Sequence, residues 1–213
     1  LNYGVMNNFY WKPSMRNKFE AGVWYQVKHK SLPPLMGTTG TVENQKDSIF
    51  RVYAKYSHVF NNSSFKIKSG YFNHSQLYTK KSKVTDEAYM VYSPIQTKKW
   101  LSDINYRVYL SDHFTFDIGS QYSLLSAKVR KYQNNIKTSN RISVIGAIKY
   151  EQDRLNSNFS IRQQFNNQTD PKTQFSIGGN YNLIRDELFI RGNFSTKFRL
   201  PTFNERYWPE LGN

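Results

Sequence analysis

Apolar and polar side chains alternate strictly along most of this chain. In the segment after residue 187, Leu188, Ile190, Gly192, Phe194, Thr196 and Phe198 form one set, and Arg191, Asn193, Ser195 and Lys197 the other. A repeat of two places successive side chains on opposite faces of an extended strand. The pattern recurs upstream: Phe175, Ile177, Gly179, Tyr181 and Leu183 oppose Gln174, Ser176, Gly178, Asn180 and Asn182. Phe159, Ile161 and Phe165 oppose Ser160, Arg162 and Gln164, and Ile142, Val144, Ile148 and Tyr150 oppose Arg141, Ser143 and Lys149. Nearer the N-terminus the apolar sets are Phe114, Phe116 and Ile118; Ile104, Tyr106, Val108 and Leu110; Phe65, Ile67 and Tyr71; Phe50, Val52, Ala54 and Tyr56; and Phe19, Ala21, Val23, Tyr25 and Val27. With a first strand near Tyr3 to Trp11, the pattern predicts about ten strands of roughly 9 to 14 residues.

The connections alternate too. Asn61 to Ser64, Ser111 to His113, Glu151 to Asn156 and Arg185 to Glu187 read as short turns, whereas Ser31 to Lys46, Thr79 to Thr97, Lys128 to Asn140 and Asn166 to Lys172 read as longer polar loops. One end of the sheet therefore carries turns and the other loops, the asymmetry of outer-membrane barrels. Strand length agrees, since a tilted crossing of the hydrocarbon takes roughly 9 to 11 residues. Alternation by itself also suits a soluble sandwich, in which the apolar set would face inward. Length and loop rhythm favour an all-β, antiparallel transmembrane barrel, in which that set faces lipid and the basic set a wet interior.

Composition sharpens this picture. Tyr (16), Phe (15) and Trp (4) are abundant while the hydrophobic fraction is only 38%, which fits strands better than helices. No apolar run is long enough for a membrane helix, so a spanning structure has to be a barrel. Without cysteine, disulfides and thiolate chemistry are excluded. The formal net charge of +15 raises a nucleic-acid reading, but Lys and Arg are scattered singly between apolar residues, so no nucleic-acid partner is expected. Phosphorylated lipopolysaccharide around the barrel, or anions in its lumen, account for the charge equally well.

Little in the sequence suggests catalysis. His29, His58, His74 and His113 are dispersed, and Asp86, Glu87, Asp186 and Glu187 fall in predicted turns. Neither a nucleophile elbow nor a phosphate-cradling glycine loop occurs. No catalytic residue, metal site or cofactor is expected. Tyr10, Trp11, Trp24, Tyr25, Trp100, Tyr132 and Tyr150 are candidates for interfacial girdles, and Pro33 to Thr41 and Lys128 to Thr138 for the lining of an outer vestibule.

The C-terminal stretch departs from the alternation. Pro201 cannot donate to a ladder, so the last strand should end near Arg199, leaving loop beyond. This stretch resembles a signature of TonB-dependent outer-membrane receptors, in which a strand ends in Phe-Arg-Ala-Pro-Thr and leads through Asn-Glu-Leu-Tyr to Gly-Asn. Phe198, Arg199, Pro201, Thr202, Asn204, Glu205, Tyr207, Gly212 and Asn213 match, while Leu200 and Arg206 replace Ala and Leu. Tyr207-Trp208 and Phe203-Asn204 look most like cobalamin receptors of the Bacteroidetes type, and Gly22 to Gln26 with Leu32-Pro33-Pro34 resembles their barrel more weakly.

The resemblance implies a barrel of about 22 strands, of which residues 1 to 213 are expected to be an internal portion without a second domain. The plug, its TonB-contacting box and the closing strand would lie outside this stretch. The implied activity is TonB-driven uptake of a scarce bulky nutrient, cobalamin or an iron-siderophore, across the bacterial outer membrane. Outer-membrane lipid, lipopolysaccharide and, through the plug, the TonB system are the implied partners. A passive porin or structural barrel, and a soluble basic β-protein binding polyanions, are the rival readings. For Arg199, Asn204 and Glu205 the reading is that hydrogen bonds pin the base of a loop, with contact to cargo as the alternative.

Overall fold

A computed structural model describes residues 2–33, 40–82, 89–130, 136–167, 169–184 and 187–207. They form one ten-stranded sheet in simple sequential order, every neighbouring pair antiparallel. The strands are β1 (Asn2–Trp11), β2 (Asn17–Leu32), β3 (Thr41–Val59), β4 (Ser63–Ser82), β5 (Tyr89–Tyr109), β6 (Phe114–Val129), β7 (Ile136–Glu151), β8 (Leu155–Asn166), β9 (Lys172–Ile184) and β10 (Leu188–Ser195), followed by a one-turn helix α1 (Phe203–Tyr207).

Tight turns gather at one end of the sheet, closed by Phe60 N–H to the Ser63 carbonyl (2.8 Å), Leu110 N–H to the Phe114 carbonyl and Gln152 N–H to the Leu155 carbonyl (both 2.9 Å). At the other end the strands run further than the side-chain pattern predicts. β3, β4 and β5 have 19, 20 and 21 residues, and much of the predicted loops Ser31 to Lys46 and Thr79 to Thr97 is paired strand, Ser31 with Asn44 and Thr79 with Tyr92. Pro94 lies inside β5, opposite Leu77 and next to the pairing of Ile95 with Val129. The β3 extension is polar on both faces apart from Val42, whereas those of β4 and β5 also carry Leu77, Met90, Val91, Tyr92 and Ile95 without regular alternation. Backbone pairing needs no apolar side chain, and where water reaches the strand it can serve the carbonyl that Pro94 leaves without a donor.

The apolar set has nothing packed over it. Among the described residues only Val27, Ala127, Val129 and Leu200 are buried hydrophobics, whereas Val144 (46%), Ile177 (53%) and Phe194 (60%) are widely exposed. A sandwich would have buried these side chains under a second sheet; the single sheet leaves them as a continuous outward band. Near the turns, aromatic rings line its margin, with Trp11 stacked on Phe19 at 5.2 Å, Phe19 on Tyr56 at 4.6 Å and Phe114 near Tyr150 at 4.8 Å. Tyr71 and Trp100, 6.2 Å apart, sit at the opposite margin. Trp24 and Tyr10 do not join a girdle. Each faces the polar side, Trp24 beneath the Arg51 guanidinium at 4.6 Å and Tyr10 near Lys18. Tyr132 lies outside the described residues.

The strand register turns this band into a measure of tilt. Its loop-side margin runs through Tyr25, Phe50, Tyr71, Trp100, Leu124, Ile142, Phe165 and Phe175. Traced along the cross-strand pairs, Phe175 is level with Ile161, Gly146, Ile118, Tyr106, Phe65, His58 and finally Asn17, eight residues below Tyr25 in β2. At about 3.3 Å per residue and about 4.8 Å per strand, this drop across β2 to β9 tilts the strands by roughly 40° to the normal of the band. Barrel closure demands tilts of this size.

Candidate lumen-facing site

The opposite face carries most of the charge. Alternation places Glu20, Arg51, Lys55, Lys66, Lys68, Lys99, Asp103, Arg107, Asp117, Arg141 and Arg162 on it, and the register decides which of them meet. Lys55 lies 3.3 Å from Glu20, and Arg107 grips Asp117 with two hydrogen bonds of 2.8 and 3.0 Å. Arg162 reaches across β7, donating to Gln121 Oε1 (2.9 Å) and Ser143 Oγ (3.0 Å). Ser143, 2% exposed, is small enough for that long side chain to lie over it.

A hollow of about 550 Å³ opens on this face above β3 to β8. Its charged lining is Lys55, Lys68, Arg141 and Arg162 against the single carboxylate Asp103, with Tyr53, Phe72 and Leu101 as apolar walls. The Tyr53 hydroxyl donates to Asn8 Oδ1 (3.1 Å), laying the ring across Gly22; a Cβ at Gly22 would stand 2.4 Å from that ring. The absent side chain at Gly22 thus makes room for the tyrosine, an aromatic-over-glycine pair that fixes register. Four bases and apolar walls suit an anionic ligand of mixed polarity.

The sequence motif sits at the loop end of the same face, and it contains a helix where loop is predicted. Pro201 ends pairing after β10, then Thr202 caps α1: Glu205 N–H donates to Thr202 Oγ1 (3.2 Å), and Thr202 N–H donates to Glu205 Oε2 (2.6 Å). This reciprocal pair is a capping box, whose requirement is Ser or Thr three residues ahead of Glu or Gln. Arg199 Nη2 holds the other oxygen of Glu205 at 2.6 Å. Beyond the cap, Phe203 and Tyr207 pack on Ala127, Val129 and Ile95, and Lys137 lies 4.6 Å from the Tyr207 ring. Leu200, which replaces the usual Ala, is 8% exposed. The motif thus folds inward across the polar face of β5 to β7.

Arg199, Thr202, Glu205 and Tyr207 are therefore brought together around one helical turn, whereas Phe198 lies by Lys172 at 5.5 Å and Pro201 beside the Asn166 to Lys172 connection. The Asn204 side chain, Gly212 and Asn213 lie outside the described residues, as do 34–39 and 131–135 of the expected vestibule. The histidines stay apart: His58 bonds Asn17 Oδ1 (2.7 Å), His74 lies 3.4 Å from Asp47, and His113 bonds the Glu151 carbonyl. The hollow itself was not foreseen. Its signal was the run of bases on alternate positions, legible only once neighbouring strands are set in register.

The cap has a definite pH signature. The Thr202 backbone N–H, then Arg199, hold the Glu205 carboxyl below its ordinary value of 4.5. A carboxyl lowered on folding contributes fully above its unfolded value and loses that contribution as pH falls through the folded one. The Thr202 amide resonance should therefore move in acid, with a midpoint below 4.5. In Glu205→Gln, which keeps the acceptor but not the charge, that titration should vanish. An equal shift in both proteins would remove Glu205 as its source.

No family model matches the chain, and no curated protein matches it. Among solved structures it is similar to the siderophore receptor PirA from Pseudomonas aeruginosa, with TM-score 0.59 and 8% identity, covering 94% of this chain and 42% of that one. It is also similar to the ferric citrate transporter FecA in its unliganded form, with TM-score 0.46, 10% identity and coverage of 91% and 42%. The chain thus spans less than half the length of the siderophore receptor. With one tilted antiparallel sheet, an exposed apolar band and a polar opposite face, the chain has the fold of an outer-membrane β-barrel wall.

Proposed function

We propose that this chain is part of the barrel of a TonB-dependent receptor in the bacterial outer membrane. It imports a scarce, bulky nutrient, and its chemistry is binding and gating, with no bond broken. The motif carries this reading. The segment Phe198 to Tyr207 matches the receptor signature, and it folds as a capped turn over the polar face, where a transported ligand would pass. A receptor of this kind also requires a plug and a TonB-contacting segment. Cobalamin is our first assignment, from the motif, and an iron-siderophore our second; the basic hollow suits an anionic complex of the second kind. The siderophore receptor to which the wall is similar supports the second.

Energy dependence tests the reading. Cells lacking the gene should take up cobalamin or a ferric siderophore at least tenfold more slowly at limiting concentration. An intact copy should restore uptake, and dissipating the proton-motive force should abolish it. Restored flux that persists without that force would assign the protein to passive porins. Recovery of the intact protein in the aqueous fraction without detergent would favour the soluble polyanion-binding reading.

A further inference from the structure

Toward the turns the lumen face changes character. In β8, β9 and β10 it carries Asn156, Asn158, Ser176, Gly178, Asn180 and Asn193, which line a hollow of about 450 Å³. The charged lining is the Lys149 and Glu151 ion pair and Arg191, whose guanidinium lies 5.5 Å from the Phe189 ring. The basic hollow, by contrast, sets four bases against one carboxylate. The two differ in depth as well. Arg141 and Gln164 of the basic hollow adjoin Ile142 and Phe165 on the loop-side margin, whereas Glu151 and Asn156 pair beside the turn that the Gln152 N–H closes.

The register builds the amide surface. Lys149, Asn158, Gly178 and Asn193 occupy one row across four strands, and Glu151, Asn156, Asn180 and Arg191 the next lumen-facing row toward the turns. A Cβ at Gly178 would stand 3.2 Å from Asn158 Oδ1 and 3.3 Å from Asn193 Oδ1, so the two amides lean in over the glycine from either side. Among the described residues, no side-chain hydrogen bond ties Asn156, Asn158, Asn180 or Asn193. Gln121 in the basic hollow is tied at both ends, donating to Asp103 Oδ2 (2.8 Å) and accepting from Arg162 (2.9 Å). Each untied amide offers acceptor and donors alike to whatever passes it.

We propose that this amide hollow is the release side of the transport path: cargo leaving the basic hollow moves toward the turns along β8 to β10, past Asn158, Asn180 and Asn193. The proposal rests on the uptake reading given above. A conducting wall has to bind its solute strongly enough to admit it and weakly enough to let it go. The bases of the upper hollow hold an anion by charge, an attraction that grows where water is excluded. Neutral amides exchange hydrogen bonds with water at little net gain, so they keep cargo solvated without trapping it. Short side chains around a glycine also leave width where a bulky body slips past the wall.

The test separates binding from passage in cells carrying the full-length protein, with radiolabelled cobalamin and ferric citrate as probes. Asn158→Trp with Asn193→Trp, which fills the hollow, should leave binding at the cell surface within twofold of native and lower uptake at least tenfold. Asn158→Ser with Asn193→Ser, small and neutral, should transport like native. Asn105→Trp, on the same lumen face and four residues from the turn end of β5, should also transport like native. If the filled double variant fails to fold, Asn158→Phe alone should lower uptake severalfold at unchanged binding. Native-like uptake in the filled variant, a loss that merely follows binding, or an equal loss in Asn105→Trp overturns the proposal. A native protein that imports neither probe defeats the uptake reading beneath it, whereas import that persists through a filled hollow defeats this inference alone.

Discussion

Ile148→Arg should destabilise the barrel by roughly 2–4 kcal/mol, whereas Ala147→Arg, one residue away, should change it by less than about 1 kcal/mol. Ile148 lies on the outward face near the middle of the β7 band, 45% exposed and level with Phe116 and Phe159. An arginine there has only hydrocarbon around it and must bend toward the margin to keep its charge hydrated. Ala147 is at the same depth but points to the polar side, opposite Asp117, where water and a carboxylate receive a guanidinium. Denaturant titration of the refolded protein in lipid vesicles measures both. In a soluble sandwich Ile148 would be a core position, and Ile148→Arg would destabilise the protein in water without any lipid. Equal losses at both positions in vesicles would remove the assignment of the faces.

Ile104→Pro should cost roughly 2–7 kcal/mol, while Pro94→Ala in the same strand should change stability by less than about 1 kcal/mol. Ile104 pairs with Ile67 on one side and Ser120 on the other, inside the band. Proline there removes a ladder donor, and no water is present in the hydrocarbon to serve the orphaned carbonyl. Pro94 lies ten residues closer to the loops, beyond Trp100 at the margin of the band. The same chemical defect is thus tolerated above the band and costly within it. Folding yield in vesicles, read from the heat-dependent shift in electrophoretic mobility of a folded barrel, separates the two. A well-folded Ile104→Pro protein would place water at the centre of the band.

These contrasts mark how far the sequence could be read. Which residues face together is a local matter, because each side chain of a strand points opposite to the one before it. The sets from Phe19 to Val27 and from Leu188 to Phe194 were legible for that reason, as were turns such as Ser111 to His113. Strand ends at the loop side were not. Beyond the lipid, pairing is held by backbone hydrogen bonds and polar cross-strand contacts such as that of Tyr78 with Glu43, which leave no regular apolar alternation, so the extensions of β3 to β5 read as loops. Trp24 and Tyr10 show the opposite error. Their residue type suggested a girdle, but their place in the alternation had already assigned them to the polar side.

For the candidate sites the boundary falls in the same place. Thr202 and Glu205 stand at capping-box spacing, so the turn of α1 was written in the chain, although Pro201 beside it argued for loop. Its packing on Ala127 and Val129 joins residues some 75 positions apart, and no local pattern encodes that. Likewise the sequence supplies the bases and their alternation, while register decides that Arg162 reaches Gln121 across Ser143. The sequence by itself determined the two faces of the wall and the chemistry of each, because side-chain direction depends only on neighbours in the chain. Tertiary structure alone decided the tilt, the strand extents and the lumen-side hollow, because these depend on which distant strands are paired and at what offset.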